Sequence, residues 1–377
     1  MRITGITSRI IGYDVSAIYG DVGPPTEISA DYRYSFDTFH TDEGIDGHSM
    51  QFGWMGEGQA MGHALHQAYG RFLLGRDVAE HEHLWQDLRR QNRHEYNLTD
   101  TLLGTIDIAL WDIRGKAAGL PIARMLGLAR ESIPTYATAI TVRPTPDQVF
   151  DEAQRRVREG YRGFKIQFWD GPDRDIPRFH AAREAVGPDF PLFQDAGGFY
   201  SWTEALRAGY VLDELGYRWF EEPLPDRQIF QIKRLAEELR TPVLTNETSR
   251  LHELPEVLRV GAGDIVRGDV LIKSGITGLR KAAAAAELFG FDLEIHGLGA
   301  PLLDAANLHV ALSIENCAFS EGHDALYHEG MVGTPLAIDS DGLRHLPDAP
   351  GLGVEMDPDW VEDHTVEVIR TGETPAP

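Results

Sequence analysis

Gly163-Phe-Lys-Ile-Gln-Phe-Trp169, Leu192-Phe-Gln-Asp195, Arg218-Trp-Phe-Glu-Glu-Pro223 and Val243-Leu-Thr-Asn-Glu247 are short apolar runs that end on polar or acidic side chains. Each is followed by a loop and then by an amphipathic helical stretch, and this unit repeats on both sides of them. From about residue 133 the apolar or β-branched runs fall at 135–142, 163–169, 190–196, 217–221, 242–247, 264–270, 291–296 and 317–321. Helical patterns separate them at 146–159, 175–186, 203–215, 228–239, 253–260, 277–288 and 304–313. Eight strands alternating with helices over roughly 190 residues is the requirement of a parallel (β/α)8 barrel. An open doubly wound sheet would carry a glycine-rich phosphate turn after its first strand, and Ala137-Thr-Ala-Ile-Thr-Val-Arg-Pro144 has none.

Upstream of the barrel the pattern differs. Alternation over residues 3–15 suits a small antiparallel sheet with one wet face, and helical spacing follows at 59–74, 83–96 and 98–118. Two Gly/Pro/Asp-rich stretches, about 19–26 and 46–55, read as long loops, which usually act or move. The expected organisation is an α/β chain: an α+β capping domain at 1–125, the barrel at 126–325, and a C-terminal segment at 326–377 returning to the cap.

Of 377 residues, 35 are Lys or Arg and 59 are Asp or Glu, a net charge of −24, which excludes a nucleic-acid binder and disfavours anionic membranes. The start, Met-Arg-Ile-Thr-Gly, lacks the pattern of a secretory signal, and no stretch approaches the ~18 apolar residues of a membrane span. The lone Cys317 fits a reducing compartment. The expectation is a soluble, cytoplasmic protein that acts on a small molecule.

The strand ends carry the chemistry. Lys165 and Gln167 lie in the second run, and Asp195, Glu221, Glu247, Asp269, His296 and Glu321 end the third to the eighth, at steps of 22 to 30 residues. In a barrel these positions converge at the carboxyl-terminal mouth. One such acid alone reads equally well as a helix cap or an arginine partner. Three at successive strand ends repel one another and call for a cation, and an all-carboxylate set suits Mg2+ better than Zn2+. His296, with Asp269 one strand away to fix its tautomer, is the expected proton-transfer unit.

These residues resemble the enolase superfamily and, within it, the mandelate racemase subgroup. The resemblance runs through Asp107-Ile-Ala-Leu-Trp-Asp-Ile-Arg-Gly-Lys, Gly163-Phe-Lys-Ile-Gln, Phe220-Glu-Glu-Pro, Gly275-Ile-Thr-Gly and Pro350-Gly-Leu-Gly-Val-Glu. It implies Mg2+ held by Asp195, Glu221 and Glu247, abstraction of the proton beside a substrate carboxylate, and homo-oligomerisation. Sites of this superfamily pair a Lys or His base with Mg2+. The subgroup often has Lys-x-Lys on the second strand. Gln167 stands in place of the second lysine, so Lys165 takes an electrostatic role and His296 becomes the base. An Asn two residues after the first ligand is replaced by Gly197, and the turn after Asp269 begins Lys273-Ser-Gly.

With one base rather than two, the expected reaction is dehydration of a sugar acid to a 2-keto-3-deoxy acid, with Glu321 hydrogen-bonding a carboxylate oxygen or the enediolate provided its environment keeps it protonated. Epimerisation, racemisation or cycloisomerisation of a sugar acid or lactone is the alternative, and a metal-binding protein without turnover the remaining one. Candidate substrate contacts are Gln167, Tyr19, His48, Trp54, Lys273 and His323, with Phe52 and His328 beside them.

Overall fold

The computed structural model describes residues 1–14, 31–51, 57–92, 100–139, 144–167, 169–323 and 325–373. Numbering all strands in chain order, the barrel consists of β4 (Ser132–Thr138), β5 (Phe164–Gln167), β6 (Leu192–Asp195), β7 (Trp219–Glu221), β8 (Val243–Thr245), β9 (Ile265–Gly268), β10 (Asp292–Ile295) and β11 (Ser320–Gly322). All pair in parallel in the order β10-β9-β8-β7-β6-β5-β4-β11. The seam between β10 and β11 is bridged by side-chain and loop bonds. Glu294 accepts from Ala318 N (3.0 Å) and Phe319 N (3.3 Å), and Leu293 N donates to Asn316 O (2.7 Å). Helices follow the strands, as in Pro146–Arg158, Pro172–Val186, Trp202–Leu215 and Gly275–Phe289. The first carries a Thr145/Gln148 capping box and the third a Ser201/Glu204 one, which satisfy N–H groups that the helix cannot.

The barrel interior is filled in layers. Tyr136, Phe193, Trp219 and Leu244 form an apolar floor, with Phe193 and Trp219 ring centroids 3.9 Å apart. Above it lies a charged layer, described below. Large rings pointing inward fill the lower barrel and leave its upper end for polar groups.

The cap is a four-stranded antiparallel sheet in the order β13-β1-β2-β3: β13 (Thr365–Gly372), β1 (Ile3–Asp14), β2 (Asp31–Thr41) and β3 (Gly47–Gln51). The C-terminal segment thus supplies an edge strand to a sheet begun at the N-terminus. It also adds β12 (Leu343–His345), antiparallel to β4. The stretch at 46–55, whose composition suggests a loop, contains β3. Its glycine reflects close approach: a Cβ on Gly47 would lie 2.2 Å from Ala109 O of the helix Asp100–Ala118. Asp107 on that helix accepts from Thr277 N (2.9 Å), Thr277 Oγ1 (2.7 Å) and His81 Nε2 (2.7 Å), fastening cap to barrel. No helix among the described residues is long and apolar enough to cross a membrane.

His309, fully buried, joins three segments. Its Nδ1 accepts from Ala123 N (3.2 Å), so Nε2 carries the proton and donates to Leu352 O (2.9 Å). Burial pushes its pKa down from 6.5 to about 4. The unfolded chain therefore binds this proton more tightly. The stability is complete above pH 6.5 and is lost as pH falls toward 4, by up to roughly 3 kcal/mol. His309→Gln keeps a donor toward Leu352 and is expected to flatten the rise of thermal midpoint with pH across this window. An unchanged slope would exclude His309 as its source.

Candidate active site

Gln167, Asp195 and Glu221 are direct partners across three adjacent parallel strands, so register alone places them in one row. Glu247 lies just beyond β8, and Asp269 and His296 directly follow β9 and β10. The amide of Gln167 donates to Asp195 Oδ2 (3.3 Å), and Gly197 N donates to Asp195 Oδ1 (2.8 Å). Gly197 takes φ +55°, which glycine adopts without strain, and its backbone N–H is what reaches Asp195.

The positive charge sits beneath the row. Lys165, fully buried, has its ammonium 2.8 Å from Glu221 Oε1, 3.1 Å from Asp195 Oδ2 and 3.2 Å from Glu321 Oε1. Burial and Arg267 act to lower its pKa, but these carboxylates outweigh them and raise it well above the usual value, so it stays protonated. Its protons are directed at the protein's own carboxylates.

Arg267, also fully buried, is missed by a reading of strand ends. Its Nε lies 2.7 Å from Glu221 Oε1 and 3.1 Å from Glu247 Oε2, its Nη2 2.6 Å from Glu321 Oε2, and its Nη1 donates to Tyr136 OH (3.3 Å). The available signal is strand alternation: Arg267 precedes Asp269 by two residues and so shares its inward face.

The surroundings of Glu321 do not meet the condition for a protonated donor. Its carboxylate accepts from Thr138 Oγ1 (2.5 Å), Arg267 Nη2 (2.6 Å) and Gly297 N (2.8 Å), with Lys165 alongside. Burial alone would raise its pKa, but Lys165 and Arg267 hold it well below the carboxylate range. It is a saturated carboxylate and cannot donate a proton, since two fixed cations favour its charged form.

His296 Nδ1 is 3.1 Å from Asp269 Oδ2, whose other oxygen accepts from Leu271 N (2.7 Å) and Ile272 N (2.9 Å). Asn307 fixes the turn by donating to His296 O (2.8 Å). Nε2 is left facing the mouth, 3.8 Å from Glu247 Oε1. Burial lowers the imidazole pKa, yet Glu247, Asp269 and Glu321 reverse this and raise it to about 9.

The other candidates divide. His323 reaches the His296 turn, since a Cβ on Gly297 would lie 2.7 Å from its Cε1. Its Nδ1 is buried without a hydrogen-bond partner among the described residues, 4.0 Å from Asp304 Oδ2, and burial pushes its pKa to about 4. His328 is held by Asp304 (2.8 Å). Lys273 does not serve the mouth: its ammonium donates to the carbonyls of Asn246 (2.7 Å), Glu247 (3.0 Å) and Ser249, which uses all its protons to pin the loop after β8. His48 lies within the cap, stacked on Phe36 at 5.3 Å and bonded to Thr38 Oγ1 (3.2 Å), because strand β3 turns it there. Tyr19, Phe52 and Trp54 lie outside the described residues.

A divalent cation would draw on Asp195, Glu221 and Glu247. Their donor chemistry fits: hard carboxylate oxygens from three neighbouring strands, crowded enough that Glu222 beside them is pushed far up by burial and by Glu247, Asp226, Asp195 and Glu221. Their side chains do not converge on one point, and among the described residues no group of three His, Cys, Asp or Glu is so placed. Glu221 is instead turned to Lys165 and Arg267, with Trp219 Nε1 donating to its Oε2 (3.1 Å). A hollow of about 430 Å³ opens beside them, lined by Gly197, Gly198, Glu222, Thr248, Arg250 and Glu253 among others.

Comparison with known proteins agrees with this architecture. D-galactarolactone cycloisomerase of Agrobacterium fabrum is 32% identical over 81% of this chain and 87% of its own length. Arabinonate dehydratase of Saccharolobus solfataricus is 31% identical over 90% of this chain and 91% of its own. The crystal structure of D-glucarate dehydratase from Agrobacterium tumefaciens, complexed with magnesium, superposes with a TM-score of 0.86 at 30% identity, covering 97% of this chain and all (100%) of that one. Residues 30–127 match the mandelate racemase/muconate lactonizing enzyme N-terminal domain, residues 148–360 match the enolase C-terminal domain-like family, and the chain therefore belongs to the mandelate racemase group of the enolase superfamily.

Proposed function

We propose that the protein removes the proton next to the carboxylate of a small polyhydroxy acid, with Mg2+ on Asp195, Glu221 and Glu247, and dehydrates it to a 2-keto-3-deoxy acid. The observation that carries this reading is the His296–Asp269 pair at 3.1 Å, together with a second-strand position held by Gln167, which donates to Asp195 and cannot take a proton at neutral pH. The cation would supply the positive charge that an enediolate, with two negative oxygens, requires.

The chain's own residues account for the proton movement. His296 Nε2 takes the proton from the substrate carbon, while Asp269 holds Nδ1 and stabilises the imidazolium. The bonding pair moves into the carboxylate, near the fixed charge of Lys165. Collapse of this enediolate expels the neighbouring hydroxyl, His296 returns its proton to make water, and the resulting enol tautomerises to the ketone. A single imidazole serves both halves if the proton and hydroxyl leave from one face. Positive charge brought to Glu247 would cancel the foremost influence raising the His296 pKa and favour the free base.

A second reading is favoured by the cycloisomerase relative: opening or isomerising a sugar lactone also needs only one base. A library of mono- and diacid sugars and their lactones, incubated with Mg2+ in D2O, separates the two. Dehydration is expected to give a semicarbazide-reactive keto acid. Deuterated substrate without keto acid would indicate epimerisation, and turnover of lactones alone would replace dehydration by cycloisomerisation.

A further inference from the structure

We propose that Arg267 is a built-in counter-cation of the barrel mouth: it holds Glu221, Glu247 and Glu321 together in the absence of a divalent ion, and it competes with that ion for the first two. This rests on the reading that Asp195, Glu221 and Glu247 bind a divalent cation, and adds a residue that sets how tightly.

The guanidinium is fully buried and lies within 3.1 Å of oxygens on all three carboxylates. Those carboxylates come from β7, from the loop after β8 and from β11, so a single planar cation spans the mouth from side to side. Arginine alone is suited to this, because it cannot lose its charge and its fork reaches several acceptors at once. Its hydrogen bond to Tyr136 OH anchors it to the aromatic floor, so it is not free to swing out when another cation arrives. A divalent ion on Glu221 and Glu247 would therefore share their oxygens with a fixed like charge, which weakens its binding. With Arg267 gone, the buried Glu221 would have only Lys165 to balance it, and the partly exposed Glu247 only the His296 imidazole 3.8 Å away. The protein would then gain more from an added cation, and a stronger stabilisation by metal and a tighter affinity are one thermodynamic statement.

The test uses the full chain and Mn2+ as probe, with free Mn2+ followed by electron paramagnetic resonance without substrate, and thermal midpoints measured in EDTA and in excess Mg2+. The wild type is expected to fold in EDTA and to gain little from Mg2+. Arg267→Met and the more isosteric Arg267→Gln are expected to bind Mn2+ at least about tenfold more tightly, the smallest effect usual for one charge at this range. Their midpoints should fall in EDTA and recover in Mg2+. Arg267→Lys, which keeps the charge, should stay near wild type in Mn2+ affinity. A variant that folds only when Mg2+ is present supports the proposal. Unchanged or weaker Mn2+ binding in both neutral variants overturns it, as does a loss of folding that Mg2+ does not relieve. Absence of Mn2+ binding by the wild type would overturn the assignment of the ligands and this inference with it, whereas binding by the wild type with unaltered variants removes the inference alone.

Discussion

His296→Asn lowers kcat by about 10³-fold or more in the expected result, at the upper part of the range for a positioned acid–base group. Mn2+ binding is retained. Two features make this the largest single loss of activity. Once positive charge at Glu247 offsets the influence that raises its pKa, His296 is the group at the mouth that can both take and return a proton near neutral pH, since Lys165 is held protonated by three carboxylates and Glu321 is held ionised by two cations. Its geometry is also set from behind, by Asp269 at Nδ1 and by Asn307 at its carbonyl, so that Nε2 faces the mouth. Asparagine keeps a polar contact toward Asp269 and removes the second nitrogen. The check is steady-state turnover beside exchange of the substrate's α-hydrogen with D2O, and both should fall together. Exchange at the wild-type rate in the variant would show that another group takes the proton. Asp269→Asn should reproduce part of the loss through a shifted pH–rate profile, because it leaves the imidazole in place and removes the group that fixes its tautomer.

Much of this site is legible in the sequence because a barrel turns spacing into position. One strand, loop and helix consume 22 to 30 residues here, so acids at that interval have to reach the same end of the barrel. Asp195 and Glu221 then fall into cross-strand register. Local reading fails where the deciding partner lies far away in the chain. Glu321, expected to donate a hydrogen bond if kept protonated, has its charge fixed by Arg267, 54 residues earlier, and by Lys165, far away in the chain but only two strands away, on β5. Arg267 itself sits in an ordinary strand sequence, Ile-Val-Arg-Gly, and its meaning appears only once β7, β8 and β11 surround it. Lys273 would share the inward face only if the strand continued. The chain turns after Asp269, where Lys273 N bonds back to Asp269 O (3.1 Å), and this sends the side chain to the carbonyls after β8. In the cap, glycine and aspartate at 46–47 suggest a loop. Gly47 there answers to a close helix approach, and Asp46 accepts from His40 Nδ1 (2.9 Å).

Lys165→Met should cost both stability and catalysis, and the two losses can be separated. Lys165 balances Glu221, Asp195 and Glu321 in a layer closed to water. Removing one member of a buried ionic group leaves its partners uncompensated, at a cost of about 3–5 kcal/mol. Loss of a fixed charge facing the developing enediolate should lower kcat by about 10²–10³-fold. A purely structural lysine would recover everything once the excess negative charge is removed, and the double variant Lys165→Met with Glu321→Gln provides that condition. In it, Arg267 still holds Glu221 and Glu247, and the neutral amide keeps its oxygen to accept from Gly297 N while its NH2 donates to the Thr138 hydroxyl. The double variant is expected to regain much of the thermal stability, a coupling that a double-mutant cycle measures directly, while kcat stays low. Recovery of kcat together with stability would assign Lys165 to the scaffold and leave the substrate carboxylate to be met by the cation and His296 alone.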